Sequence, residues 1–254
     1  MSATQSRPRA EAEIDPGQVR AFWEGQAGKL GSVPLESMAN LEERPGLLEQ
    51  KIRLEQECLL PLLRLEQDTS LLDLGAGAGQ WTFRFAARVR RVVAVEYAEA
   101  MAAIGRAETA RRGSGNVQFI TAAAQDFESA ERFDAIFISG LLLYLNDADV
   151  RKLTARLPRW LKPGGRVLVR DAASVLPQRH LIANRYSELL RAHYSAIYRT
   201  ASEIRAAFAP AGFRCEKEGQ IFPEGSPLNK FPETRLKYFL FRQDPEPFPG
   251  DRLP

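Results

Sequence analysis

The chain has 254 residues, 44% of them apolar and 26% charged, a composition that suits one large α/β domain with a small accessory piece. Its 35 basic and 32 acidic residues leave a net charge of +3, which calls for no polyanionic partner, so nucleic acid is not favoured. Two cysteines, Cys58 and Cys215, are too few for a disulfide framework or a metal knuckle, so no metal is expected and a reducing, cytoplasmic setting fits. No apolar run approaches the roughly 20 residues that a membrane-spanning helix needs, so no integral membrane segment is expected.

Residues 1–15 are polar and lack the apolar centre of a signal peptide, which predicts a disordered tail. Residues 16–66 are expected to form a helical N-terminal cap. Asp15-Pro16 can start a helix that carries Val19, Phe22 and Trp23. Gly28, Gly31 and Pro34 interrupt residues 25–40, which predicts a loop. After Pro45-Gly46, Leu47, Leu48, Ile52, Leu59, Leu62 and Leu63 recur at mostly helical intervals.

Residues 67–254 form the core, where strand and helix patterns alternate. Strands are expected at 70–74, 91–95, 117–121, 133–139 and 166–170, with helices at 80–89, 98–112 and 147–161. Lys162-Pro163-Gly164-Gly165 is a turn. This rhythm predicts an α/β fold with a doubly wound, mostly parallel sheet. Residues 171–200 are an insertion rich in Arg and Tyr, in which Tyr186, Leu189, Leu190, His193, Tyr194 and Ile197 would share one face of an amphipathic helix. A helix at 201–211 and strands near 214–221 and 235–241 follow. The loop 222–234 is short enough to make those last strands antiparallel neighbours, giving seven strands in all.

The stretch Leu71-Leu72-Asp73-Leu74-Gly75-Ala76-Gly77-Ala78-Gly79-Gln80 reads as a strand, a glycine turn and the start of a helix, which is a nucleotide-type cofactor site. A dinucleotide motif would place its third glycine at position 80, where this chain has Gln80. A carboxylate at Asp73 instead suits a ligand with a cationic head. Glu96, at the end of the second strand and 17 residues beyond Gly79, can accept hydrogen bonds from both hydroxyls of a ribose.

These residues, with Phe133-Asp134-Ala135-Ile136-Phe137-Ile138-Ser139 and Leu161-Lys162-Pro163-Gly164-Gly165-Arg166-Val167-Leu168, resemble the class I S-adenosylmethionine-dependent methyltransferases over about residues 70–170. The resemblance implies a Rossmann-like class I methyltransferase fold with an antiparallel last strand. It also implies S-adenosyl-L-methionine as cofactor and S-adenosyl-L-homocysteine as product. Carried over by position, it puts Asp73, Gly75, Ala76, Gly77 and Gly79 at the methionine part, Glu96 at the ribose, and Tyr97, Gln125 and Asp126 at the adenine. Ser139 and Gly140 would face the methionine and the acceptor. Trp23 matches the aromatic that covers the cofactor in many relatives, or packs the cap; Trp81 follows the turn as a cofactor neighbour or a core residue.

For the acceptor the expectations are broader. The cap and the insertion should build its site. His180 or His193 is the candidate base, with Asp171 and Tyr144 beside it, the latter standing where many relatives carry His. Arg170, Tyr194, Tyr198, Arg199 and Lys230 are candidate acceptor-binding residues, suited to a polar and anionic molecule. The expected partner is a small-molecule or glycan acceptor, methylated on oxygen before nitrogen. A protein or RNA acceptor, or a cofactor-binding regulator without transfer, are the rival readings.

Overall fold

A computed structural model describes residues 13–28, 46–188 and 190–244. The expected tail up to residue 12, and the expected loop from residue 29 onward, lie outside the described residues.

The sheet is built from β1 (Ser70–Leu74), β2 (Arg91–Glu96), β3 (Val117–Thr121), β4 (Phe133–Ser139), β5 (Leu161–Ser174), β8 (Phe213–Gln220) and β9 (Thr234–Gln243). Their order is β3-β2-β1-β4-β5-β9-β8. The first five pair in parallel, and β9 runs antiparallel to both of its neighbours. The expected fold class is therefore the observed one.

Strand side chains alternate between two faces, and helices cover both. On one face Leu72, Leu74, Ile136, Ile138, Val167 and Val169 pack against α5 (Asp147–Trp160) and α6 (Ala201–Phe208) through Leu153, Leu157, Trp160 and Phe208. On the other, Leu71, Val92, Phe137 and Leu168 meet α2 (Leu47–Leu63) and α3 (Thr82–Ala86) through Leu59, Leu62, Leu63 and Phe85. The carbonyl of Leu62 at the end of α2 accepts from buried Arg166 of β5 (2.9 Å), which ties the cap to the sheet. The helix expected at 80–89 is only α3, because the glycine turn uses Gln80 and Trp81 before the helix begins.

The cap helix α1 (Pro16–Ala27) starts at Asp15, whose carboxylate accepts from the amides of Gly17 and Gln18. Its Glu24 accepts from the amides of Glu99 (2.9 Å) and Ala100 (3.1 Å), capping α4 (Glu99–Arg112) where Ala98 has no side chain able to do so. Upstream, the Asn146 amide both donates to and accepts from the Ile14 backbone, each at 2.9 Å. One helix is thus fastened at both ends across the carboxyl edge of the sheet.

The insertion corrects one expectation. Residues 171–200 are not an amphipathic helix: β5 runs on to Ser174, and an antiparallel hairpin follows, β6 (His180–Ser187) and β7 (Ala192–Tyr198). The apolar spacing there fits two-residue alternation as well as a helical period. Left-handed backbone at Asn184 (φ 46°) and Arg191 (φ 49°) bends β6 and closes the turn, which a continuous helix would not permit. Buried Arg199 anchors the hairpin base, donating to Asp147 (2.5 and 2.9 Å) and to the carbonyls of Leu142 (2.6 Å) and Leu145 (2.8 Å).

Candidate active site

The carboxyl ends of β1, β2, β4 and β5 open into one cleft, roofed by α1, α2, the β6–β7 hairpin and the loop between β8 and β9. At its floor Asp73 ends β1, almost fully buried, and accepts from the Thr82 hydroxyl (2.6 Å). Burial pushes its carboxyl up to about 7, and the nearby Glu96 adds to the shift. The turn beyond is tied to β2, with the amides of Gly75 and Ala76 both donating to the Val95 carbonyl (2.9 and 3.0 Å).

The glycines divide by role. Gly77 has φ +56°, and a Cβ there would meet no atom within 4 Å, so its bare backbone faces open cleft. Gly79 does not line the cleft; a Cβ on it would sit 2.6 Å from Phe83 and 3.0 Å from Phe119, so its glycine serves packing. Glu96 accepts from the amides of Gly77 (2.9 Å) and Ala98 (2.8 Å), which locks the turn to the end of β2. Burial raises its carboxyl above the usual range, opposed by these amides. Tyr97 follows, its carbonyl held by Arg20 (3.0 Å) and its hydroxyl buried with no partner. Trp23 lies edge-on to Tyr144 at 5.3 Å, closing the roof.

The other side of the cleft is built on Asp171, in the extension of β5. It is 1% exposed and accepts from the amides of Leu143 (3.3 Å) and Ala172 (2.9 Å). Burial pushes this carboxyl, too, up to about 7. Tyr144, Tyr194 and Tyr198 line the same region; burial and the Asp171 charge raise the Tyr144 and Tyr198 phenols, so they remain neutral. Tyr194 and Tyr198, four apart on β7, share a face because strand side chains alternate.

A third group lies where Lys51 of α2, Arg170 of β5 and Lys230 of the β8–β9 loop reach the cleft. Arg170 pairs with Glu55 and donates to the Ser139 hydroxyl (3.3 Å).

The cleft thus gathers Trp23, Asp73, Gly75, Ala76, Gly77, Trp81, Glu96, Tyr97, Ser139, Gly140, Tyr144, Arg170, Asp171, Tyr194, Tyr198 and Lys230. Other expected site residues stand apart from it. Gln125 and exposed Asp126, which pairs with Lys152, follow β3 outside the lining. Arg199 is occupied at the hairpin base. His180 stacks on Tyr198 at 5.9 Å without lining the cleft, and exposed His193 faces the Asn184 carbonyl (3.1 Å). Sequence reasoning missed Lys51 and Met101. Lys51 had a signal: with Glu55 it is a charged pair one turn apart within the apolar pattern of α2.

Among the described residues, no group of three or more His, Cys, Asp or Glu side chains could hold a metal ion, and no helix is long and apolar enough to cross a membrane.

Comparison with known proteins agrees on the fold and the domain. Residues 71–165 match the model of a methyltransferase domain. Phosphoethanolamine N-methyltransferase 1 of Zea mays is 32% identical over 156 residues, which cover 60% of this chain and 29% of that protein. Demethylmenaquinone methyltransferase of Clavibacter sepedonicus is 32% identical over 139 residues, 54% of each. The chain therefore spans only part of the relatives it matches. The structure of Haemonchus contortus phosphoethanolamine N-methyltransferase 1, with phosphoethanolamine and S-adenosylhomocysteine, superposes with a TM-score of 0.68 at 17% identity, covering 91% of this chain and 50% of that one.

Proposed function

Because the chain belongs to the class I S-adenosylmethionine-dependent methyltransferase family, we propose that it transfers a methyl group from S-adenosylmethionine to the nitrogen of a small polar amine. The observation that carries this reading is the division of one cleft into two carboxylate sites. Asp73 and Glu96 lie on the side of the glycine turn, and Asp171 lies among Tyr144, Tyr194 and Tyr198.

The first side fits the cofactor. Gly77 leaves open space for it, the Asp73 carboxylate would hold its ammonium, and Glu96 retains lone pairs for ribose hydroxyls. Tyr97 and Trp23 would lie against the rest of the molecule. When bound, S-adenosylmethionine supplies a methyl group on a sulfonium centre, ready for in-line displacement.

The second side fits an amine. An ammonium has no free pair and must lose a proton before it can accept a methyl group. Asp171, its carboxyl pushed up to about 7, is matched to accept that proton near neutrality. The tyrosines around it orient the amine through their oxygens and ring faces. Oxygen was the first expectation for the accepting atom. Nitrogen now precedes it, since the maize and nematode relatives bear N-methyltransferase names. The enclosure of the cleft between four strand ends and a roof of two helices, a hairpin and a loop supports a small acceptor over a protein or RNA.

Turnover assays with radiolabelled S-adenosylmethionine against paired amines and alcohols of the same skeleton test the reading. Labelling of the amine alone is expected; labelling of the alcohol alone would overturn the nitrogen assignment.

A further inference from the structure

We propose that the corner of the cleft formed by Lys51, Trp81, Arg170 and Lys230 is a subsite for an anionic group of the acceptor, a phosphate or a carboxylate. The inference rests on the methyltransferase reading and adds to it a second recognition point, distinct from the amine site at Asp171.

The convergence of cations is the first support. Lys51, Arg170 and Lys230 arrive from three elements remote in sequence, and all line the cleft. Glu55, 1% exposed, pairs with Arg170 among them. Lys51, one helical turn from Glu55 and 4% exposed, sits in the field of Glu55, Arg170, Lys230 and Arg84. Burial lowers its ammonium to about 8, so the cation is held at a cost that a bound anion would offset.

The second support is independent of charge. Two buried donors in this corner lack acceptors: Nε of Arg170 and Nε1 of Trp81, whose side chain is 5% exposed. Trp81 is otherwise fully packed, stacked on Phe85 at 5.6 Å and tilted against Phe137 at 5.3 Å. Donors of fixed direction beside cations are the recognition chemistry of an oxyanion with several lone pairs.

The geometry also limits the molecule. Arg170 and Asp171 are consecutive on β5, and both line the cleft. A small ligand that reaches both carries an amine and an anion on one skeleton. An aminoalkyl phosphate or a short amino acid has that form.

Calorimetry on the S-adenosylhomocysteine-loaded protein tests the subsite, with inorganic phosphate, 2-aminoethyl phosphate and 2-aminoethanol as probes. Phosphate should bind, and the aminoalkyl phosphate should bind at least tenfold more tightly than the amino alcohol. Lys51→Met should weaken phosphate binding at least tenfold while S-adenosylhomocysteine affinity stays within twofold. Trp81→Phe, which keeps the ring stack and removes the donor, should weaken phosphate several-fold. Glu55→Gln should shift phosphate affinity the other way, upward. Retained stabilisation by S-adenosylhomocysteine certifies the fold of each variant. Absence of phosphate binding to a protein that still binds S-adenosylhomocysteine overturns the subsite alone. Equal losses of both ligands in Lys51→Met would place the cofactor's own carboxylate here and also overturn it. No response to S-adenosylhomocysteine in the unaltered chain sinks the methyltransferase reading, and this inference with it.

Discussion

The two sides of the cleft are built on different plans. On the glycine-turn side, Asp73, Gly77 and Glu96 belong to two adjacent parallel strands and the turn between β1 and α3; backbone amides hold the turn and Glu96, and the Thr82 hydroxyl holds Asp73. On the acceptor side, Lys51, Asp171, Tyr194 and Lys230 come from four elements spread over 180 residues of chain, and long-range side-chain contacts hold them together. A site built locally is rigid and readable; one assembled from distant pieces can change its ligand by altering a loop without disturbing the sheet. The expected consequence is that substitutions on one side leave the function of the other intact.

The largest effect is expected at Glu96. Glu96→Ala removes the proposed ribose acceptor and strands the amides of Gly77 and Ala98. At ~1.5–3 kcal/mol for each charge-assisted hydrogen bond lost, S-adenosylhomocysteine affinity should fall on the order of 1,000-fold by calorimetry. Next comes Asp171→Asn, which keeps the shape of the side chain but not its basicity. Turnover should drop about 100-fold or more, the ordinary contribution of a general base, with S-adenosylhomocysteine affinity within twofold. A cofactor defect as large as the turnover defect would erase the proposed division of labour.

The same contrast decides what the sequence disclosed. The mostly parallel sheet, the antiparallel last pair and the placement of Asp73 and Glu96 at strand ends were legible, because each depends on patterns within a few tens of residues. The hairpin was not: Tyr186, His193, Tyr194 and Ile197 fit a helical period as well as an alternating one, and only the left-handed turns at Asn184 and Arg191 decide between them. Arg199 and Arg170 looked equivalent as acceptor-binding cations. Arg199 is consumed by Asp147 and two carbonyls, whereas Arg170 keeps a buried donor free of partners, and sequence holds no record of that difference. Gly79 reads as part of a cofactor motif yet is required by Phe83 and Phe119, contacts made by packing.

A pH effect of intermediate size separates the sides again. The Asp73 carboxyl, facing Thr82 and Glu96, titrates at about 7 in the folded chain and near 3.9 when unfolded. A raised carboxyl contributes stability that is fully present below the unfolded value and lost as pH rises through 7, and Asp171 adds to the same trend. The ligand-free protein should therefore weaken between about pH 4 and 7. A cationic head favours the ionised Asp73, so cofactor binding should release a proton below pH 7 and tighten by up to about tenfold per unit as that pH is approached. Calorimetry in two buffers of different ionisation enthalpy reads the proton directly, and Asp73→Asn should abolish the release. Smaller still is Asn146→Ala, which removes both bonds to the Ile14 backbone. It should cost about 1–3 kcal/mol locally, read as faster hydrogen exchange in α1 while the sheet stays protected.

The smallest effect is expected where a sequence reader would look first, at the histidines. Both lie in the hairpin that roofs the acceptor side, and histidine is the usual base near neutral pH. Position argues otherwise. His193 is exposed, edge-on to Tyr186 at 5.4 Å and directed at the Asn184 carbonyl, while Tyr194 beside it lines the cleft. His180 reaches the site only through Tyr198, on which it stacks. His193→Ala should thus leave both turnover and S-adenosylhomocysteine affinity within about twofold, as surface substitutions ordinarily do. His180→Ala should change the acceptor KM several-fold by loosening Tyr198, with kcat nearly kept. A loss of kcat in His193→Ala comparable to that in Asp171→Asn would move the base from the strand edge to the hairpin. It would also mean that the hairpin closes further over the acceptor than its present register allows, because no rotation of His193 alone carries it past Tyr194 to the cleft.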